Sequence, residues 1–327
     1  MPYNEITRKL AANNRALQKV IRKGRSITKR RSITKKRRII DRGILFLFIL
    51  SFSFLVVIAL EHRLISSHLI INNVLQEGIN YDAFREMKLD KKAIEKAENK
   101  ISHILKNKPK LASLSYFDTM GYITFSMMAS NYDLINNSLV SEATFLKGIH
   151  EIKENEAFQE LYGYYSAVLS GLQYFPVPKL ETAEVTYADS WYQLRTYGGN
   201  RRHEGCDLMA SNNKRGFFPI ISITEGVVEK MGWLEQGGYR IGIRTEEGGY
   251  FYYAHLFSFA PELQIGDTVL AGQLLGFMGD SGYGPEGTIG QFDVHLHLGI
   301  YVNSSIGEMS INPFQILKIL ETKRKLY

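Results

Sequence analysis

The chain has 327 residues, of which 45% are hydrophobic and 22% are charged, so it can bury a substantial core and is not a disordered polypeptide. Its net charge of +7 is uneven: residues 1–42 hold 15 Lys and Arg against two acidic residues, while the remaining 285 residues hold 25 basic and 31 acidic ones. The positive charge is therefore concentrated in an N-terminal arm, and the folded body is not uniformly basic.

The basic arm, residues 1–42, contains the tandem hexapeptides RSITKR and RSITKK at 25–36. Such a run is compatible with nucleic acid or with anionic lipid. We interpret it as a solvated topogenic segment that also contacts the inner membrane leaflet, and we expect no nucleic-acid partner.

An uncharged apolar run, GILFLFILSFSFLVVIAL, occupies residues 43–60. As a helix its 18 residues span about 27 Å, close to the hydrocarbon thickness of a bilayer. The basic residues on its N-terminal side predict a cytoplasmic N-terminus and an extracytoplasmic body. A buried core helix is the alternative. A cleaved signal peptide is disfavoured, because the basic region is too long and no small-residue cleavage site follows. The sequence thus predicts an uncleaved, single-pass signal anchor in the cell membrane.

Residues 61–174 are typical of a helical extracytoplasmic region. Asp90 is a predicted N-cap for a helix that ends near Leu105, and further helices are predicted over 117–128 and 141–172. Ligand-type side chains do not cluster here, and its scattered histidines are interpreted as surface or packing residues: His62, His68, His103 and His150. The region is interpreted as a spacer, a docking surface or a lid.

The pattern changes at YFPVPKL (174–180), where prolines end the helical pattern and glycine becomes frequent. Short alternating runs such as GVVEKMGW, YRIGIRT, GYFYYAHL and VHLHLGIYV follow, separated by EQGG, EEGG and GDSGYG. Closely spaced short strands with turn signals predict an antiparallel β-rich domain over residues 175–327. The predicted fold class is therefore α+β, with an N-terminal transmembrane helix and a helical region before the sheet.

Chemistry-bearing residues gather in three segments of this β domain. RRHEGCDLMA carries His203 and Asp207, YFYYAHL carries His255, and DVHLHLGI carries His295 and His297. Strand alternation places the last two histidines on one face. Two imidazoles and one carboxylate can form a three-ligand zinc site with an open position for water, and a nearby imidazole can accept the proton of that water. Spacing alone does not decide which histidine has which role.

These motifs, together with GDTVLAGQLLGFMGDSG and INPF, resemble the lysostaphin-type, or LytM-like, zinc metallopeptidases, which cleave peptide bonds in bacterial peptidoglycan. The resemblance covers about residues 175–315. It implies one zinc ion per chain, with His203, Asp207 and His297 as ligands. It implies His295 as the general base and His255 as the histidine that orients water or stabilises the oxyanion.

One departure from the family is the loop GYGPEGTIGQFD (282–293), which is longer than the family's usual connection before HLH. This difference concerns substrate specificity more than catalysis, and Tyr283 is a candidate for the groove rim. Cys206 alternates with Asp207 along an extended segment, so it is interpreted as a small buried residue and not as a ligand. As the single cysteine it also excludes an intramolecular disulfide.

The sequence therefore predicts a membrane-anchored zinc endopeptidase that hydrolyses stem peptides or cross-bridges of peptidoglycan during cell-wall remodelling. The alternative is a zinc-binding but nonhydrolytic scaffold or activator with a cell-wall or sporulation protein partner. A 2-His-1-carboxylate iron oxygenase has formally the same ligand set. Considered alone, His255 could also be a histidine packed on Tyr252 or Tyr253.

Overall fold

The computed structural model describes residues 3–76, 78–197, 199–305 and 307–326, which form two compact units, Met1–Ser66 and Ser67–Tyr327. Helix α1 runs from Tyr3 to Gln76 and so contributes its last turns to the second unit. Its part Gly43–Gln76 is long and apolar enough, by length and composition, to cross a membrane, and its most apolar window is not buried in protein. The apolar run predicted from the sequence lies within this helix.

The second unit begins with helices that precede the sheet and ends with one that follows it. They are α2 (Tyr81–Arg85), α3 (Lys91–Asn107), α4 (Thr119–Ala129), α5 (Glu142–Ile152), α6 (Glu156–Leu169) and α7 (Pro313–Leu320). Asp90 caps α3 as predicted, since its side chain accepts a hydrogen bond from the Ala93 N–H at 2.8 Å. The prediction of one helix over 141–172 is wrong. Asn155 caps a new helix by accepting from the Phe158 N–H, and this separates α5 from α6.

The strands follow from residue 185 onwards. They are β1 (Val185–Tyr187), β2 (Leu194–Arg195), β3 (Arg201–Arg202), β4 (Cys206–Ala210), β5 (Pro219–Ile221), β6 (Gly226–Leu234), β7 (Gly238–Arg244), β8 (Tyr250–Phe259), β9 (Thr268–Val269), β10 (Leu274–Met278), β11 (His295–Ser304) and β12 (Gly307–Ile311). The main sheet has the order β1-β4-β11-β8-β7-β6-β9, with β12 beside β11 and β10 between β8 and β5. All these pairs are antiparallel, so the predicted α+β class with an antiparallel sheet is confirmed.

The two faces of the main sheet differ in burial. Leu298 and Ile300 on β11, Phe251 and Tyr253 on β8, and Ile241 on β7 are fully buried on one face. These residues share one hydrophobic core with the helices that precede the sheet, and α6 packs against β11. The helical region and the β-rich region are therefore packed together. The opposite face of the same strands is open and forms the floor of a groove.

Candidate metal centre and active site

Three predicted ligand side chains meet at one end of this groove. Asp207 on β4 lies directly opposite His297 on β11, and His203 precedes β4 by one turn of loop. His203 Nε2 is 2.9 Å from His297 Nδ1 and 3.0 Å from Asp207 Oδ1, and the last two atoms are 3.1 Å apart. The three donors thus form a group that could hold a metal ion.

The surroundings of these ligand atoms keep them in the protonation states that can bind a cation. His203 Nδ1 lies 2.8 Å from the Ser190 carbonyl, which can only accept, so Nδ1 carries the proton and Nε2 offers its lone pair to the group. Burial raises the pKa of Asp207, but the close His203 and His297 rings outweigh that effect and hold the pKa well below its ordinary value. The carboxylate is therefore ionised.

Arg195 on β2 is a residue of this site that the sequence did not reveal. Its Nη2 donates to Asp207 Oδ2 at 2.6 Å and lies 3.1 Å from His203 Nδ1. Arg195 thereby holds the outer carboxylate oxygen while Oδ1 faces the two imidazoles. No pattern in YQLRTY marks this arginine, because its contact with Asp207 depends on how the β2–β3 hairpin folds over β4.

The remaining two predicted histidines lie beside this group. His295 Nδ1 is 2.7 Å from the Asp293 carbonyl and its Nε2 is 3.8 Å from Asp207 Oδ1. His255 Nδ1 is 2.8 Å from the Ser281 carbonyl, and its ring centroid is 4.7 Å from that of His295. Both imidazoles therefore place the N–H on Nδ1 and leave Nε2 for the groove. The structure brings all five predicted residues together, while their separate roles stay predictions.

His255 reaches the groove through a local break in strand β8. Ala254 lies opposite His297 on the groove face, so simple alternation would turn the next side chain into the core. His255 instead has a left-handed φ of 60°, and the register between β7 and β8 shifts at this point. Burial, together with the neighbouring His295 and His297, holds the pKa of His255 well below its ordinary value.

An aromatic wall, formed by Phe292, Tyr283 and Tyr197, borders the two histidines. The Phe292 ring lies 4.6 Å from His255 and 5.0 Å from His295, and Tyr283 stacks on Tyr197 with centroids 4.0 Å apart. Two of its members come from the long loop 282–293, and Tyr283 lines the groove as predicted. The sequence did not single out Phe292, whose proximity to the histidines follows from the fold of the loop.

Hydrogen bonds of Asp280 hold the loop that carries this wall. This buried carboxylate accepts from Arg215 Nε at 2.5 Å and Nη2 at 2.7 Å, and from the Gly290 N–H at 2.9 Å. The last bond ties the far part of the loop to its start. Elsewhere, His68, His103 and His150 lie exposed on helices, as predicted for residues outside the site.

Cys206 faces the core while its neighbour Asp207 faces the groove, as the alternation predicts. Burial, and then the Asp207 charge, raise the pKa of the thiol to about 12, so only about one molecule in 10⁴ is thiolate at pH 8. We therefore expect no modification of the folded protein by a thiol-specific disulfide reagent at pH 8, and one modified thiol per chain in denaturant. Rapid labelling of the folded chain, followed by absorbance, would contradict this assignment.

The antiparallel sheet and the Asp–His pair across β4 and β11 lie in a segment that matches a known class of peptidase. The model of peptidase family M23 matches residues 201–313, and the chain belongs to that family. The crystal structure of a Ruminococcus gnavus protein, provisionally assigned as the glycyl-glycine endopeptidase lytM, has a TM-score of 0.60 and 38% identity. The likeness covers 77% of this chain and 96% of that one. The predicted resemblance to LytM-like and lysostaphin-type peptidases is thus confirmed.

Two curated relatives are similar to part of this chain. An L-Ala–D-Glu endopeptidase of Bacillus subtilis (strain 168) is 40% identical over 164 residues, which are 50% of this chain and 48% of that protein. Lysostaphin of Staphylococcus simulans is 30% identical over 129 residues, which are 39% of this chain and 23% of that protein. The chain thus spans about half, or less, of the length of these relatives.

Proposed function

We propose that this chain is a zinc endopeptidase that hydrolyses peptide bonds in peptidoglycan. One observation carries the proposal: a three-donor group lies in the same groove as two imidazoles that both present Nε2 towards it. The Bacillus subtilis relative, whose name describes an endopeptidase, supports this chemistry.

The donor set fits zinc. Tetrahedral zinc with ligand bonds of about 2.0–2.1 Å separates its ligand atoms by roughly 3.3 Å. The distances of 2.9, 3.0 and 3.1 Å between the His203, Asp207 and His297 ligand atoms are close to that separation, so these three residues would hold the ion. When bound there, zinc would polarise the scissile carbonyl and lower the pKa of a coordinated water.

In this proposal His295 is the general base. Its Nδ1–H donates to the Asp293 carbonyl, which fixes the ring and keeps Nε2 as the proton acceptor beside the donor group. Nε2 can take a proton from the attacking water and return it to the leaving amine. In its neutral form His255 likewise has a free Nε2 acceptor, which suits orientation of that water better than donation to an oxyanion.

We further propose that residues 43–60 anchor the chain in the cell membrane, with residues 1–42 cytoplasmic and the peptidase domain, residues 175–327, outside. The support is the apolar helix and the concentration of basic residues on its N-terminal side. The helical residues 61–174 would then position the peptidase domain at the outer membrane surface, where peptidoglycan is the substrate. In this scheme we also propose a cell-wall or sporulation protein as a further partner.

The full chain in detergent is expected to release peptide fragments from purified peptidoglycan, detected by mass spectrometry. Removal of the metal with a chelator should abolish cleavage, and stoichiometric zinc should restore it, because the three donors cannot activate water by themselves. Metal analysis should give one zinc per chain; stoichiometric iron would favour the oxygenase alternative. If the zinc-loaded protein releases nothing from peptidoglycans of varied cross-linking, the nonhydrolytic scaffold is the better account.

A further inference from the structure

The groove continues beyond the metal centre over a floor of tyrosines and encloses about 720 Å³. The Tyr252 ring centroid is 5.9 Å from that of His297, and the Tyr250 centroid is 6.5 Å further on from Tyr252. Both side chains belong to the groove face of β8, in register with Gly299 and Tyr301 on β11. Substrate can therefore lie along this floor from the reacting centre towards β7 and β6.

At the far end of the floor three polar side chains converge around Gly242. The ring of Tyr250 extends over this glycine so closely that its hydroxyl would lie 1.8 Å from a Cβ there. Lys230 on β6 is directly opposite Gly242, and Arg240 lies two residues before it on the same face of β7. Because Gly242 has no side chain, the Tyr250 ring fits over it beside Lys230, whose Nζ is 5.6 Å from the ring centroid, and Arg240 shares this face of the sheet.

These groups are donors whose hydrogen bonds the protein does not complete. The Nε and Nη1 atoms of Arg240 and the hydroxyl of Tyr250 are inaccessible, yet none has a hydrogen-bond partner among the described residues. Burial raises the pKa of Tyr250 to about 12, so its hydroxyl keeps its proton at neutral pH. The neighbouring Arg244 differs, because Glu229 neutralises it through bonds of 2.5 and 3.0 Å. Unused donors of this kind in a groove favour an anionic acceptor from outside the chain.

Acidic residues also line the groove. Glu308 on β12 and Glu204 before β4 line the side near Tyr301, while Asp207 is paired with Arg195. Within the described part of the chain, Lys230 and Arg240 form no ion pair. Neither side chain is therefore held by a carboxylate in that part of the chain, while the charges of Glu229 and Glu308 act on the cluster at longer range.

We propose that Arg240, Lys230 and the Tyr250 hydroxyl bind a free carboxylate of the substrate peptide and so direct the enzyme to acidic peptides over uncharged glycine chains. This inference rests on the proposed peptidase function. The distances from His297 to Tyr252 and from Tyr252 to Tyr250 each correspond to roughly two residues of extended chain. That carboxylate would therefore lie roughly two to four residues from the scissile bond. A guanidinium, an ammonium and a phenol supply the donors that a carboxylate accepts.

The test uses the full chain, loaded with zinc, and three probes: a stem peptide with free carboxylates, the same peptide with its carboxylates converted to carboxamides, and pentaglycine. We expect kcat/KM for the carboxylate peptide to exceed that for the carboxamide by about 10- to 100-fold, the range of a charged hydrogen bond. Arg240→Gln should reduce that ratio to near one. Equal cleavage by the wild type, or an unchanged ratio in Arg240→Gln, would overturn the proposal.

Two further variants keep the test decisive. Lys230→Gln removes an exposed member of the cluster with little risk to folding, and should lower the ratio about tenfold. Lys92→Gln removes one charge from an exposed position on α3 and should leave the ratio unchanged. Unfolding temperatures compared with that of the wild type show whether each variant is folded.

Binding measurements test the carboxylate site independently of the proposed peptidase activity. The zinc-loaded His295→Ala variant, titrated calorimetrically with the same three probes, should bind the carboxylate peptide about 10- to 100-fold more tightly than the carboxamide. The preference should disappear when Arg240→Gln is added. Preferential binding without any cleavage by the wild type would preserve the carboxylate site and remove the peptidase proposal. Equal or absent binding of all three probes would remove the carboxylate site.

Discussion

A His295→Ala variant is expected to keep one zinc per chain and to lose cleavage by about 10²- to 10⁴-fold in kcat, the usual contribution of a general base. The reason is geometric: His295 Nε2 lies 3.8 Å from Asp207 Oδ1, outside the close triangle formed by the donors of His203, Asp207 and His297. The measurements are metal content of the purified chain and the rate of fragment release from peptidoglycan.

His297→Ala is the matched comparison, because it removes the other histidine of the same strand face. We expect it to lose zinc as well as activity, since His297 Nδ1 is within 3.1 Å of both other donors. If His295→Ala also lost its metal, both histidines would be ligands, and the assignment of one base and one ligand would be wrong. Retained cleavage in His295→Ala would exclude it as the base.

Gly205→Ala is expected to weaken zinc binding by at least about 10- to 100-fold and to lower activity in parallel. A Cβ at this position would lie 2.5 Å from His297 Cε1 and 2.6 Å from the Leu298 carbonyl oxygen. Because the carbonyl belongs to the central strand β11, relief of these contacts must shift both the backbone at residue 205 and the imidazole ring of the ligand. Competition with a zinc-sensitive chelator measures the affinity, and cleavage of peptidoglycan measures the activity.

Gly163→Ala provides the control for this substitution. Gly163 is exposed in α6, and a Cβ there meets no other group within 4 Å. We expect unchanged zinc affinity and a gain of about 0.5–1 kcal/mol in the free energy of unfolding, since alanine is the better helix former. Wild-type zinc affinity in Gly205→Ala would show that the His297 ring has more room than the structure indicates.

Some of the site follows directly from local patterns in the sequence. In a strand, alternate side chains share a face, so HLH by itself places His295 and His297 together, and CD places Cys206 opposite to Asp207. The ligand spacing and the family resemblance then assign roles, which metal analysis and kinetics must test. The same local rule fails for His255, because a left-handed residue at a bulge reverses the direction of one side chain.

The sequence by itself determined the order of basic arm, apolar helix, helical region and antiparallel sheet, because charge, hydrophobic length and strand alternation are local properties. Tertiary structure alone decided which residues from distant segments meet. The β4–β11 register places Asp207 beside His297, the β2–β3 hairpin brings Arg195 to that carboxylate, and the β6–β7 register sets Lys230 across from Gly242. Register and loop packing depend on contacts between remote parts of the chain, which no single segment encodes.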